Sequence, residues 1–171
     1  YHKWKFKAEW FIPVGNKLVL KTTAKMGAMG YFNRDIGYSP FERFEIGGDG
    51  MTNYSIYGKD VISLRGYETL TSNSVKRSDG GNVFVGDPFF AKYNLELRFP
   101  ISLNPSTTIY ALSFLEAGNS WSNFTEYNPF NLYRSGGLGV RFFLPMFGLL
   151  GFDYGVGFDK IETQKSTSFG K

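Results

Sequence analysis

The chain contains no cysteine, so disulfides and thiolate metal sites are excluded. It has a single histidine, His2, close to one terminus, which removes both a histidine-based metal cluster and a histidine-based catalytic triad. No run of about 18 consecutive apolar residues occurs, so no segment reads as a membrane-crossing helix, whereas strands of alternating pattern can still cross. No phosphate loop is present: Gly47-Gly48-Asp49-Gly50 lacks the following Lys-Ser/Thr and helix. Asp49-Gly50 and Asp79-Gly80-Gly81 lack the regular ligand spacing of a calcium loop and read as turns. No cofactor is implied by any of these elements. The chain opens directly on Tyr1-His2-Lys3-Trp4, which already reads as strand and not as a leader peptide, so an exported precursor is expected to be longer than this sequence.

What the 171 residues do contain is aromatic side chains, 19% of the chain with 18 Phe, 11 Tyr and 3 Trp, together with 21 Gly. Mean hydropathy is nonetheless slightly negative, at -0.23. A membrane β-barrel needs such aromatics for its lipid face and its two interfacial girdles. The net charge of +4 and pI near 9.2 raise nucleic acid as a partner. The lysines argue against it, because Lys3, Lys5 and Lys7 alternate with apolar residues along one strand and form no continuous patch with stacking aromatics.

Period-two alternation recurs along the chain. Trp4, Phe6, Ala8, Trp10 and Ile12 share one face of the first segment, and Lys3, Lys5, Lys7 and Glu9 share the other. Pro13-Val14-Gly15-Asn16 turns the chain into a second segment, with Leu18, Leu20, Thr22, Ala24 and Met26 opposite Lys17, Val19, Lys21, Thr23 and Lys25. Alternation returns with Ala91, Tyr93, Leu95, Leu97 and Phe99 against Lys92, Asn94, Glu96 and Arg98, and Pro100 is expected to end that strand. A fourth strand spans roughly Thr107 to Gly118; Tyr110, Leu112, Phe114 and Glu116 make its inward face unusually apolar. The fifth strand turns Gly137, Gly139, Arg141 and Phe143 inward, and the sixth turns Gly151, Asp153, Gly155 and Gly157 inward beneath a lipid face of Leu150, Phe152, Tyr154, Val156 and Phe158. Short turns thus alternate with longer connections, the asymmetry of outer-membrane barrels. Six strands fall short of the roughly eight that close the smallest such barrel, so a fragment of a larger barrel is expected, exported as the interior or distal part of a longer precursor. Ser166-Thr167-Ser168-Phe169 could start a seventh strand.

Between the second and third strands, from about Asn33 to Gly81, runs a connection far longer than the roughly 12 to 15 residues beyond which loops are usually functional or disordered. Phe41, Phe44, Ile46, Tyr54, Ile56 and Tyr57 give it the composition for order, and Ser72 to Asn82 reads as its mobile tip. Within it lies Leu64-Arg65-Gly66-Tyr67. Arg65 is a permanent cation with a planar fork of donors, and in a barrel lumen it needs an anionic partner. Glu96 and Glu116 fall on the lumen faces. Arg141 and Asp153, also inward, read as a routine wall ion pair.

The blocks Phe41-Glu42-Arg43-Phe44-Glu45-Ile46-Gly47-Gly48, Leu64-Arg65-Gly66-Tyr67, Asn94-Leu95-Glu96-Leu97-Arg98-Phe99-Pro100 and Phe114-Leu115-Glu116-Ala117-Gly118-Asn119-Ser120-Trp121 together resemble the C-terminal part of the superfamily of outer-membrane assembly and secretion barrels. The family's Val-Arg-Gly-Phe-type element is matched with conservative changes at its first and last positions. The resemblance implies an all-β fold, an antiparallel transmembrane barrel segment of about six strands out of roughly sixteen. The chain would be the C-terminal part of the barrel domain, with periplasmic POTRA domains and the first strands absent and the long loop 33–81 folding back into the lumen. It also implies that Arg65 pairs with Glu96 and Glu116 as a loop latch, with Gly66 allowing close backbone approach and Leu64 and Tyr67 packing, while Phe41, Phe44, Gly47 and Gly48 support the loop. The implied function is non-enzymatic assembly and insertion of β-barrel proteins in the bacterial outer membrane. Its partners would be outer-membrane lipids, unfolded β-barrel clients and accessory lipoproteins, with no nucleic acid. A secretion or translocation barrel of the same superfamily, or a passive porin, is the alternative.

Overall fold

The computed structural model describes residues 1–33, 35, 37–39, 41–48, 58–68, 74–76, 82–84, 86–104, 107–128, 130–146 and 148–160. Each alternating segment forms a long strand: β1 (His2–Val14), β2 (Leu18–Gly30), then, after four short strands in the long loop, β7 (Phe89–Asn104), β8 (Thr107–Trp121), β9 (Tyr133–Leu144) and β10 (Gly148–Gly157). The loop strands are β3 (Phe44–Ile46), β4 (Asp60–Ile62), β5 (Ser74–Lys76) and β6 (Asn82–Phe84). The six long strands pair antiparallel in the order β1-β2-β7-β8-β9-β10, an open sheet whose edges are β1 and β10. Among the described residues the only helical element is a 3-10 turn at Phe124–Glu126.

Register fixes which side chains share a face, because a one-residue slip would turn every side chain over. Lys7 lies opposite Lys25, Lys25 opposite Lys92, Asn94 opposite Glu116, Phe114 opposite Gly137 and Gly139 opposite Asp153. One face is therefore polar and glycine-rich across all six strands. The other carries Trp4, Phe6, Leu138, Phe152 and Tyr154, all well exposed. A continuous exposed apolar surface backed by a buried polar one inverts the soluble pattern and suits a wall between lipid and a lumen.

Pro100 does not end its strand. β7 continues to Asn104 because the ladder to β8 shifts register between Pro100 and Ser102, and a bulge accommodates a residue with no N–H to donate. The loop also holds more regular structure than its sequence suggests. β3 and β4 pair in parallel, and β5 pairs with β6 in part of the segment expected as a mobile tip, the remainder of which lies outside the described residues. Tyr54, Ile56, Tyr57, both Asp-Gly turns and the seventh-strand start also lie outside them.

Apolar burial is concentrated between loop and wall. Phe44 packs with Met29 and Phe90, and Ile46 packs with Leu64 and Tyr67, joined by Ile62 and Tyr133. The core of this unit is thus the loop seated on the lumen face.

Candidate functional site

Backbone geometry brings Arg65 to the wall. Gly48 donates its N–H to the Tyr67 carbonyl at 2.8 Å, and Leu64 N–H donates back to Gly48 O at 3.1 Å. Gly47 and Gly48 hold φ of 125° and 70°, conformations that favour glycine, and so reverse the chain after β3. Leu64 and Ile46 are fully buried beneath this crossing, while the base of the loop is held by reciprocal backbone bonds between Phe44 and Asp87 at 2.8 and 2.7 Å. Phe44, Gly47, Gly48 and Leu64 therefore all sit in the loop's support. Phe41 does not join this core and stays 54% exposed.

The next residues form a tight turn with Gly66 at φ 89°, lying against β10. A Cβ on Gly66 would meet Gly157 N and Val156 C, each at 2.8 Å, so backbone rests on backbone there. The inward glycines of β10 make the matching groove, since a Cβ on Gly155 would meet Gly66 N at 3.2 Å and one on Gly157 would meet the Tyr67 ring at 2.7 Å. Tyr67 completes the fit by donating its hydroxyl proton to Arg134 O at 2.6 Å and accepting from Asp159 N at 2.8 Å.

Arg65 then projects among three carboxylates. Its backbone N–H donates to Glu116 Oε2 at 2.9 Å, while Nε and Nη2 donate to Glu116 Oε1 at 3.0 and 2.7 Å. Nη2 also reaches Glu96 Oε1 at 3.2 Å, and Nη1 reaches Asp153 Oδ2 at 3.1 Å. The guanidinium carbon stands 3.5 Å from the centroid of the Phe114 ring, so the fork is stacked as well as paired. This stacking gives Phe114, on the apolar inward face of β8, a role in the site.

Each carboxylate has further partners. Lys92 pairs with Glu116 Oε1 at 3.1 Å and also donates to Ser63 O. Arg98 holds Glu96 at 2.7 Å, and Arg141 meets both oxygens of Asp153 at 2.6 Å. Burial disfavours the charge on Arg65, but the hydrogen bonds and charge of Glu116, with Asp153, outweigh it and hold the guanidinium above its ordinary value. The cation therefore stays charged at any physiological pH.

The structure brings Arg65, Glu96 and Glu116 together and adds Asp153, which strand parity pairs only with Arg141. The carboxylate serves both arginines. Lys3 and Lys5 of β1 both pair with Asp60 of the loop, Lys3 at 2.9 Å, and Lys3 donates to Glu42 O at 2.6 Å. Parity had already placed Asp153, Lys3 and Lys5 on the lumen face; what it could not supply was the path of the loop. Among the described residues no three His, Cys, Asp or Glu side chains converge as metal ligands.

One comparison with known proteins bears on this arrangement: the Omp85 superfamily domain matches residues 1–170. No curated protein matches the chain.

Proposed function

The chain belongs to the Omp85 superfamily, barrels of the bacterial envelope that assemble or translocate proteins at the outer membrane, and from that premise we propose that it serves a BamA-type assembly barrel. In this reading the six long strands are part of a closed wall of roughly sixteen strands. The barrel inserts unfolded β-barrel clients without enzyme chemistry, cofactor or nucleotide. Its wall offers a scaffold and a locally perturbed bilayer, and accessory lipoproteins assist from the periplasm. The loop is latched inside by Arg65 and braces the lumen.

The observation that carries this reading is the engagement of Glu116 by three donors of Arg65, one of them main-chain. A clamp of that kind fixes the path of a long loop through the lumen. Depleting the full-length protein in cells tests it. Unfolded barrel proteins should accumulate in the periplasm and outer-membrane levels of many barrels should fall. Unchanged levels reject assembly, and retention of a single secreted protein under the same depletion assigns translocation instead.

A further inference from the structure

The latch lines a lumen cavity of about 310 Å³ together with a row of lysines, of which Lys92 also serves the latch through Glu116 and Ser63 O. Lys7 on β1, Lys25 on β2 and Lys92 on β7 stand directly opposite one another across three neighbouring strands. Like charges placed opposite each other in a sheet are destabilising. The cavity lining holds six cations, counting Lys21, Arg65 and Arg141, against the four carboxylates Glu9, Glu96, Glu116 and Asp153. Each carboxylate is already committed: Glu9 to Lys7 and Lys21, Glu116 to Arg65 and Lys92, Glu96 to Arg65 and Arg98, and Asp153 to Arg65 and Arg141. Lys25 is the one lining cation without an ion-pair partner among the described residues.

A second feature lies beside it. Thr23, two residues along the same face of β2, lines the same cavity and is 5% exposed, yet its hydroxyl has no hydrogen-bond partner among the described residues. A buried donor left unmade is unfavourable, as is a lysine between two lysines, and an oxyanion at this place would relieve both. Asn94, opposite Thr23 across the ladder, offers an unpartnered Oδ1 that suits a ligand carrying a hydroxyl or amide proton next to its charge.

We propose that the lumen wall carries an oxyanion-binding site, centred on Lys25 with Thr23 as its buried donor and Lys7 and Lys92 as flanking charges, that takes a carboxylate or phosphate group. The site is centred on residues outside the Arg65 clamp, shares Lys92 with it, and does not depend on the assembly reading, because ligand binding is measured with no client present.

The test is calorimetric titration of the full-length protein in detergent with inorganic phosphate and, in a second arm, with the peptide tetra-aspartate. Saturable binding is expected, weakened about tenfold by Lys25→Gln and by Thr23→Val. Lys17→Gln, at the exposed turn on the other end of the strand, should leave it unchanged. Tighter binding of the peptide assigns polypeptide carboxylates as the source, and tighter binding of phosphate assigns a phosphate group. Thermal unfolding of Lys25→Gln separates binding from structure, because removing the middle of three like charges should leave the midpoint unchanged or raised. Absence of saturable binding by the unaltered protein overturns the proposal. So does a Lys25→Gln protein that binds as tightly, or one whose midpoint falls, since the lysine would then be neutralised by the wall itself.

Discussion

Arg65 donates to Glu116 through its backbone as well as its side chain, N to Oε2 at 2.9 Å and Nη2 to Oε1 at 2.7 Å. Loss of Glu116 therefore releases the turn and the guanidinium together, and leaves Lys92 without its carboxylate. Glu116→Ala should weaken loop docking by about 3 to 5 kcal/mol, the usual consequence of breaking a buried pair. Glu96→Ala leaves Arg65 on Glu116 and Asp153, and should weaken it by only about 1 to 2 kcal/mol. Protease accessibility of the loop in the full-length protein reads the difference; equal sensitivity of the two variants would remove the ranking.

Arg65→Lys keeps the charge and is still expected to fail as a latch. An ammonium can meet one carboxylate but cannot span Glu96, Glu116 and Asp153 at once, nor lie flat on Phe114 at 3.5 Å. Arg65→Lys should fall closer to Arg65→Ala than to the unaltered protein in loop protection and in client assembly. Full activity would show that charge alone suffices.

Glycine substitutions along the contact should follow the space available. Gly66→Ala combines a positive φ with two backbone contacts at 2.8 Å and should be the most damaging, by about 1 to 3 kcal/mol. Gly157→Ala meets the Tyr67 ring at 2.7 Å and Gly66 O at 3.0 Å, and Gly155→Ala meets Gly66 N at 3.2 Å, but neither position adds a positive φ, so both should be milder. The order is read from thermal unfolding of the three purified variants, and a Gly155→Ala protein less stable than Gly66→Ala would contradict it.

How far such a site can be read from sequence depends on what sets each feature. Strand parity is local, so Trp4, Lys7, Glu96, Glu116 and Asp153 could all be placed on their faces from alternation alone. The pairing of Arg65 with two glutamates followed, since an arginine in a lumen needs carboxylates and these faced it. Its third partner did not follow, because Arg141 already accounted for Asp153 and nothing local says that a carboxylate is shared. Gly155 and Gly157 were visible only as small inward residues; their use as a seat for Gly66 and Tyr67 depends on a loop arriving from about ninety residues earlier in the chain. The same distance hides β3 and β4, whose three residues each are too few to show a period.

Tyr67 links the loop to the start of β9 and the end of β10, through Arg134 O and Asp159 N. Tyr67→Phe keeps the ring against Tyr133 and removes both bonds; the Arg134 carbonyl still accepts from Phe158 N at 2.8 Å, while the Asp159 amide loses the hydroxyl it donates to. Docking should weaken by about 1 to 3 kcal/mol, less than for Glu116→Ala. Hydrogen exchange at the Asp159 amide should quicken in particular, and unchanged protection there would show that the hydroxyl is dispensable.

Asp87 gives the base of the loop a pH dependence of its own. Burial raises its carboxyl above the ordinary carboxylate range, although the hydroxyls of Ser120 and Ser122 and the charge of Arg43 pull it back and Glu126 adds a smaller push upward. The folded state thus binds this proton more tightly than the unfolded chain does. The stability it contributes is fully present below the unfolded value of about 3.9, is lost as pH climbs through the raised folded value, and changes no further above it. Protection factors of the Phe44 and Asp87 amides, which pair across the loop base, should therefore fall as pH rises above about 4. Asp87→Asn cannot ionise and can still accept from Ser120, so its profile should be flat over that range, with greater protection than the unaltered protein at neutral pH. A profile that rises with pH in the unaltered protein would show that Arg43 and the serines dominate, and that Asp87 is a buried anion held in place by its partners.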